Sequence, residues 1–326
     1  MLHIILVRSF SDTCLMEDLL DIPPAPSYSF PPMKDAIQKA EVLMEALPHI
    51  QRFQGETVIV KFGGSSMDNP SVVHDILRDV AFMSCVGLRP VLVHGGGKAI
   101  NARLREAGLP TRFLRGLRVT DEATIGIVEQ VLNREVNPRL VQILNQDFLC
   151  KARPIHGEDI ITVRKQTGSD PDSGAPLDWG FVGDITHVDA EPVRAFLNAG
   201  ITPVVTPLGS DGTHLYNINA DAAAAGLAER LRARKLVFLS DVPGLLSDPT
   251  DPASLISTLK LSEVEDLVRR GIISGGMLPK INGALRALHA GVRKTHVINA
   301  AVPHSLLLEL FTDRGIGTEI INDNQL

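Results

Sequence analysis

Aromatic residues are scarce in this sequence: 11 Phe, 2 Tyr and 1 Trp in 326 positions, or 4% of the chain. Cysteine is scarcer, with only Cys14, Cys85 and Cys150. Positive charge is not in excess, since 32 Lys+Arg face 38 Asp+Glu for a formal net charge of −6. No uninterrupted apolar run approaches the roughly 18 residues of a spanning helix. Each shortage excludes something. Without a basic domain and stacking rings, a dedicated nucleic-acid binder is not expected. Three widely spaced cysteines build neither a disulfide framework nor a zinc knuckle, and read as reduced thiols of a cytoplasmic protein. The apolar stretch 2–7 has no cationic segment before it and no small-residue cleavage site after it, so a secretory signal is not expected. Asp12, Glu17, Asp18 and Asp21 argue equally against an organelle transit peptide, which is poor in acids.

What is present points to packed layers. Hydrophobic residues make up 44% of the chain, enough for a large core, and 27 glycines with small aliphatics suit α/β layers better than an all-β sandwich. Residues 22–32 hold five prolines, so residues 1–32 read as an extended, disordered leader, with Met33 as an alternative start. Residues 33–54 carry Ile37, Ala40, Leu43, Met44, Leu47 and Ile50 at helical spacing, with a kink expected at Pro48. From residue 55 to 326 strands and helices alternate. Strands are expected at 57–62, 90–94, 202–206, 235–239 and 295–298. Helices are expected at 71–86, 97–107, 121–149, 219–233, 261–270, 277–291 and 304–311. Hairpins are expected within 154–188. Such alternation predicts a three-layer αβα sandwich around a mainly parallel central sheet, with ligands at the carboxyl ends of the strands.

Two strands run into glycine-rich turns, Lys61-Phe62-Gly63-Gly64 and His94-Gly95-Gly96-Gly97. Glycine lets backbone approach an anion, and the helix that follows offers free N–H groups. Neither turn has the spacing of a dinucleotide fingerprint or a P-loop. His94 has no His or Cys partner at ligand spacing and reads as a packed strand-end residue. Asp221 and Lys280 open two later helices. With Lys61 they form a Lys–Asp–Lys set spread over three loops of one sheet edge, a set suited to phosphoryl transfer, in which cations neutralise charge building on the moving phosphoryl oxygens.

These residues sit in longer stretches: VIVKFGGSS (58–66), VLVHGGGKAIN (91–101), GLRVTDE (116–122), GFVGDI (180–185), PVVTPLG (203–209), YNINADAAA (216–224), LVFLSDVPGLL (236–246), GGMLPK (275–280) and HSLLLELFTDRGIGTEI (304–320). From about Met33 to about Ile321 the chain resembles the N-acetylglutamate kinases of the amino-acid kinase family. The resemblance implies ATP-dependent phosphorylation of the γ-carboxylate of N-acetyl-L-glutamate, the second step of arginine synthesis, with Mg²⁺ carried by ATP and no metal held by the protein alone. It implies Lys61, Lys280 and Asp221 as catalytic, and Gly63 and Gly64 as backbone donors on the transfer path. Gly95, Gly96, Arg118 and Asn217 would hold acetylglutamate. Ser240, Asp241, Val242, Gly244, Leu245, Gly276, Met277 and Lys280 would contact ATP. Residues 55–326 would then be the kinase domain, acyl-binding in its first half and ATP-binding in its second. By the same resemblance 33–54 is an oligomerisation helix of an arginine-inhibited hexamer, a trimer of dimers, with Glu309, Gly315 and His296 at the effector site. The chain departs from the family pattern in three places. Asn299-Ala300-Ala301 replaces a common Asp-Gly-Arg beside the expected effector site. Lys98 replaces a proline. Residues 150–163, the expected lid of the acyl substrate, lack the usual glycine-rich motif. A kinase for another N-blocked amino acid such as acetylaminoadipate, or a non-catalytic regulatory subunit on the same fold, is the alternative.

Overall fold

The computed structural model describes residues 33–170, 173–312 and 315–323; the leader 1–32 lies outside the described residues. The first helix, α1 (Met33–Phe53), runs through Pro48 without interruption. Residues up to Glu45 form a unit of their own, along which Ile37, Val42, Leu43 and Met44 are exposed. The second unit begins at Ala46 and holds everything below.

The strand–helix alternation is largely as expected. In chain order come β1 (Thr57–Phe62), α2 (Pro70–Cys85), β2 (Arg89–His94) and α3 (Gly97–Glu106). A small pair, β3 (Phe113–Leu114) and β4 (Leu117–Arg118), precedes α4 (Glu122–Glu129) and α5 (Asn137–Gln146). Next are β5 (Ala152–Ile155), β6 (Ile161–Ser169), β7 (Pro176–Val188), α6 (Glu191–Asn198), β8 (Thr202–Val205), β9 (Leu208–Ser210) and β10 (Leu215–Asn217). The last part holds α7 (Ala220–Leu231), β11 (Lys235–Ser240), β12 (Thr258–Lys260), α8 (Val264–Arg269), α9 (Met277–His289), β13 (Lys294–Asn299), α10 (Ser305–Phe311) and β14 (Thr318–Ile321).

The central sheet has eight strands in the order β12-β14-β13-β11-β1-β2-β8-β5. All neighbours pair in parallel except β13 with β14. Side chains of a strand point alternately to the two faces. In β1, Ile59 joins one core with α6, α7 and α9, while Val58, Val60 and Phe62 join another with α2, α5 and α10. Both faces are therefore covered, which makes the three-layer sandwich.

Three sequence expectations change. The single helix expected over 121–149 is α4 and α5 joined by a π-helical turn, Gln130–Val136. The apolar stripe continues through it, so periodicity alone shows no break. Within 154–188 only β6 and β7 form a hairpin; β5 is the edge strand of the central sheet, parallel to β8. The hairpin closes with β9 and β10 into a small four-stranded barrel. The short strands β12 and β14 extend the sheet where three or four residues gave no periodic signal.

Candidate active site

Lys61 leaves β1 near its carboxyl end, and Asp221 sits in the first turn of α7, whose N-cap Asn219 accepts from the backbone N–H groups of Asp221 and Ala222 at 2.8 and 3.2 Å. Lys280 lies in the first turn of α9. The three meet. Lys61 Nζ is 2.9 Å from Asp221 Oδ1, and Lys280 Nζ donates to Asp221 Oδ2 at 3.2 Å. Asp221 is only 5% exposed. Burial alone would push its carboxyl up; the two ammonium groups outweigh burial and hold it below the usual carboxylate range. The carboxylate thus stays charged and pins two cations side by side.

The glycines beside this pair let the two turns and the lysine approach closely. A Cβ on Gly63 would lie 2.9 Å from Lys61 Nζ, and one on Gly95 would meet Gly63 Cα at 3.4 Å. The two turns are stitched together by the Gly95 N–H donating to Phe62 O at 2.7 Å. Gly64 has φ +76°, in the left-handed region that side chains avoid. His94 is fully buried behind the second turn. Its Nδ1 contacts Gly95 O at 2.8 Å and its Nε2 contacts Asn137 Nδ2 at 3.1 Å, a packed strand end as expected.

A cleft of about 460 Å³ opens above these turns at the carboxyl ends of β1, β2 and β8. Lys61, Gly64, Gly95, Gly96, Arg118, Asn217, Asp221 and Asp241 all line it. Arg118 is 6% exposed, its Nη2 donating to Asn101 Oδ1 at 2.6 Å and Gly97 O at 3.1 Å, its guanidinium 4.8 Å from the Phe113 ring centroid. Its Nη1 is buried without a partner. Burial holds the Arg118 pKa below its ordinary value. Asn217 Nδ2 donates to Thr120 Oγ1 at 3.4 Å. Asp241 Oδ2 accepts from Ser65 Oγ at 3.0 Å, with Ser240 beside it at the end of β11.

Not every expected residue reaches this cleft. Val242, Gly244 and Leu245 lie on the loop beyond it. Leu245 is buried in the core, its N–H donating to Thr318 Oγ1 at 2.8 Å; Gly276 and Met277 open α9. None of residues 150–163 lines the cleft; Val182 of β7 and Pro207 are among the residues that do. Sequence reasoning missed Asn101, Phe113 and Leu132 as lining residues. Asn101 was legible in the HGGGKAIN stretch; the other two carried no signal.

Glu309, Gly315 and His296 come together elsewhere, in a cavity of about 620 Å³ at the amino ends of β11 and β13. His296 Nδ1 contacts Glu309 Oε1 at 2.6 Å, and Ile316 N–H donates to Glu309 Oε2 at 2.8 Å. Gly315 has φ +61°, and a Cβ there would lie 3.0 Å from Glu309 Oε2. Burial holds His296 below its ordinary value. Glu309, despite its burial, is held below its own by His296, the Ile316 N–H and Lys235. Burial lowers Lys235 to about 8. The Asn299-Ala300-Ala301 departure does not line this cavity: it sits at the opposite, carboxyl end of β13, where Ala300 N–H donates to Ser240 O.

The model of the amino acid kinase family matches residues 56–299. An acetylglutamate kinase of Akkermansia muciniphila is 45% identical over 291 residues, 89% of this chain and 97% of that one. One of Heliobacterium modesticaldum is 46% identical over 295 residues, 89% of this chain and 100% of that one. Among solved structures, N-acetylglutamate synthase of Neisseria gonorrhoeae complexed with coenzyme A and L-arginine superposes with a TM-score of 0.73 at 29% identity, over 86% of this chain and 65% of that one. Carbamate kinase of Giardia lamblia, at 17% identity and a TM-score of 0.60 over 82% of this chain and 99% of that one, shares the fold. The chain belongs to the amino acid kinase family, within its acetylglutamate kinase branch.

Proposed function

We propose that the chain transfers the γ-phosphoryl group of ATP to the γ-carboxylate of N-acetyl-L-glutamate. The observation that carries the reading is the buried Asp221, which lines the cleft with Lys61, holding the Lys61 and Lys280 ammonium groups together. A carboxylate attacking a phosphoryl group needs no general base, because it is already ionised at neutral pH. A carboxylate oxygen forms a bond to Pγ, the bond from Pγ to the bridging oxygen breaks, ADP leaves, and no proton moves. The obstacle is repulsion between two anions, which Lys61, Lys280 and the backbone N–H groups of Gly63, Gly64 and Gly96 would offset. The unpartnered Nη1 of Arg118 suits a carboxylate, here the α-carboxylate, and Asn217 can donate to and accept from an amide.

Among the described residues no group of three or more His, Cys, Asp or Glu could hold a metal ion. Asp221 is committed to two lysines, and Asp241 remains a carboxylate facing the cleft. That set fits Mg²⁺ brought in on the triphosphate, with Asp241 nearby. When bound, the ion would neutralise charge on the β and γ oxygens.

The finer reading concerns regulation. Glu309, with His296 and Gly315 around it, would receive the guanidinium of arginine, and the cationic rim with Lys235 and Lys294 would face its carboxylate. The exposed apolar residues of α1 would be covered by another subunit in a hexamer.

The test is formation of the acyl hydroxamate from ATP, Mg²⁺, acetylglutamate and hydroxylamine, with and without arginine. Wild-type chain should form it, and Lys280→Ala should lose at least about 100-fold in kcat, on the scale of other lost transition-state contacts. Full activity in Lys280→Ala would sink the mechanism. No response to millimolar arginine would remove the effector reading alone.

A further inference from the structure

Leu132 lies on the π-helical turn between α4 and α5. Val131, Leu132 and Asn133 are consecutive, and all three are buried, at 0, 1 and 5% exposure. The segment is packed on more than one side, and π-helical turns concentrate at functional sites. Asn133 Nδ2 donates to Glu158 Oε1 at 2.6 Å, which ties the turn to the segment after β5.

Leu132 then does two things at once. It lines the cleft, and it packs on the backbone of the second glycine turn so closely that a Cβ on Gly96 would lie 2.6 Å from Leu132 Cδ2. The neighbouring carbonyl, Gly97 O, accepts from Arg118 Nη2. Leu132, Gly96, Gly97 and Arg118 thus form one chain of contacts. It fixes the distance between the Arg118 guanidinium and the turn that approaches Lys61.

We propose that Leu132 sets the length of the acceptor, admitting a dicarboxylate with the glutamate spacing and excluding one a methylene longer. This rests on the proposed function, in which Arg118 holds the α-carboxylate and the glycine turns face the γ-carboxylate. Shortening residue 132 slackens the Gly96 turn and opens space at the reacting end of the substrate. A single methylene in an apolar pocket is worth about 10–200-fold in discrimination.

The experiment compares kcat/KM for N-acetyl-L-2-aminoadipate, N-propionyl-L-glutamate and N-acetyl-L-glutamate in the full-length wild type, Leu132→Ala and Leu132→Val, each checked for folding by circular dichroism. The expected result is a rise of about tenfold or more in the aminoadipate-to-glutamate ratio for Leu132→Ala. Leu132→Val should shift the same way by less, with the KM for ATP within about threefold in both. Leu132→Val carries the test if the alanine variant does not fold. A ratio within twofold of wild type in a folded variant overturns the proposal. So does a gain confined to N-propionyl-L-glutamate, which would place Leu132 against the acyl group instead. A wild-type chain inactive on acetylglutamate would sink the functional reading itself, whereas an active wild type with an unmoved ratio sinks only this one.

Discussion

His94 and Asp221 are both buried beside the glycine turns, and their surroundings push them toward opposite charge states. Two lysines keep Asp221 charged. Burial keeps His94 neutral, lowering its pKa to about 4 against the opposing contact with Gly95 O. Its partners agree with the neutral ring: Asn137 Nδ2, a donor, faces Nε2, which leaves the proton on Nδ1 facing Gly95 O. The unfolded chain would take up this proton near pH 6.5 and the folded chain only near 4. Between those values the unfolded state holds more protons, so stability falls as the pH drops through the window. The loss by pH 4 is on the order of 3 kcal/mol. Urea midpoints of wild type and His94→Gln, followed from pH 7 to 4.5, should converge as the pH falls. A constant gap across that window would contradict a histidine held neutral by burial.

At the scale of elements, the site depends on α7 and α9 lying close together. Gly283 faces both α7 and β11: a Cβ there would touch Asp221 O at 3.4 Å and press on Phe238 Cζ at 3.2 Å. Lys280 is three residues earlier, on the same face of α9, and so arrives over Asp221. The N-cap of α7 is Asn219, whose side chain accepts from the N–H groups of Asp221 and Ala222. Asn219→Ala should cost about 1 kcal/mol, or roughly 2–4 °C in Tm for a domain of this size. Because Asp221 rides on that first turn, kcat should fall by more than the stability loss explains, about tenfold. Asn219→Ser, which restores a cap, should recover most of the Tm. Scanning calorimetry with the hydroxamate assay checks both; an unchanged Tm in the alanine variant would mean the cap does not hold the helix start.

For the whole molecule, the central sheet separates two cavities. Lys235 and Ser240 end the same strand, ~16 Å apart at about 3.3 Å per residue. One end faces the cleft with Lys61, the other the cavity with Glu309 and His296. The segment up to Glu45 is a separate unit with exposed apolar side chains. Removing residues 1–45 should leave the remaining domain folded, with Tm within a few degrees, and, on the proposed assembly, should take a hexamer to dimers by light scattering. A full-length chain that is already a dimer would rule out the oligomerisation reading.

The alternation of strands and helices, the two glycine turns and the Lys61, Asp221 and Lys280 positions were all legible from the sequence. Each is a local matter: side-chain period, the space a missing Cβ leaves, a charged residue opening a helix. The VKFGG, HGGG and YNINAD stretches also carried the family. The fate of β5, the π-helical turn and the short strands β12 and β14 was not legible, because pairing partners and a one-residue widening of a helix leave no periodic trace. Nor could sequence separation tell that the departure at Asn299-Ala300-Ala301 lies at the far end of β13 from Glu309. Five or six residues of strand cross the whole sheet, so neighbours in the chain can serve opposite faces of the molecule. Tertiary packing alone decided that Leu132 meets Gly96, and that one buried carboxylate would gather two lysines 219 positions apart.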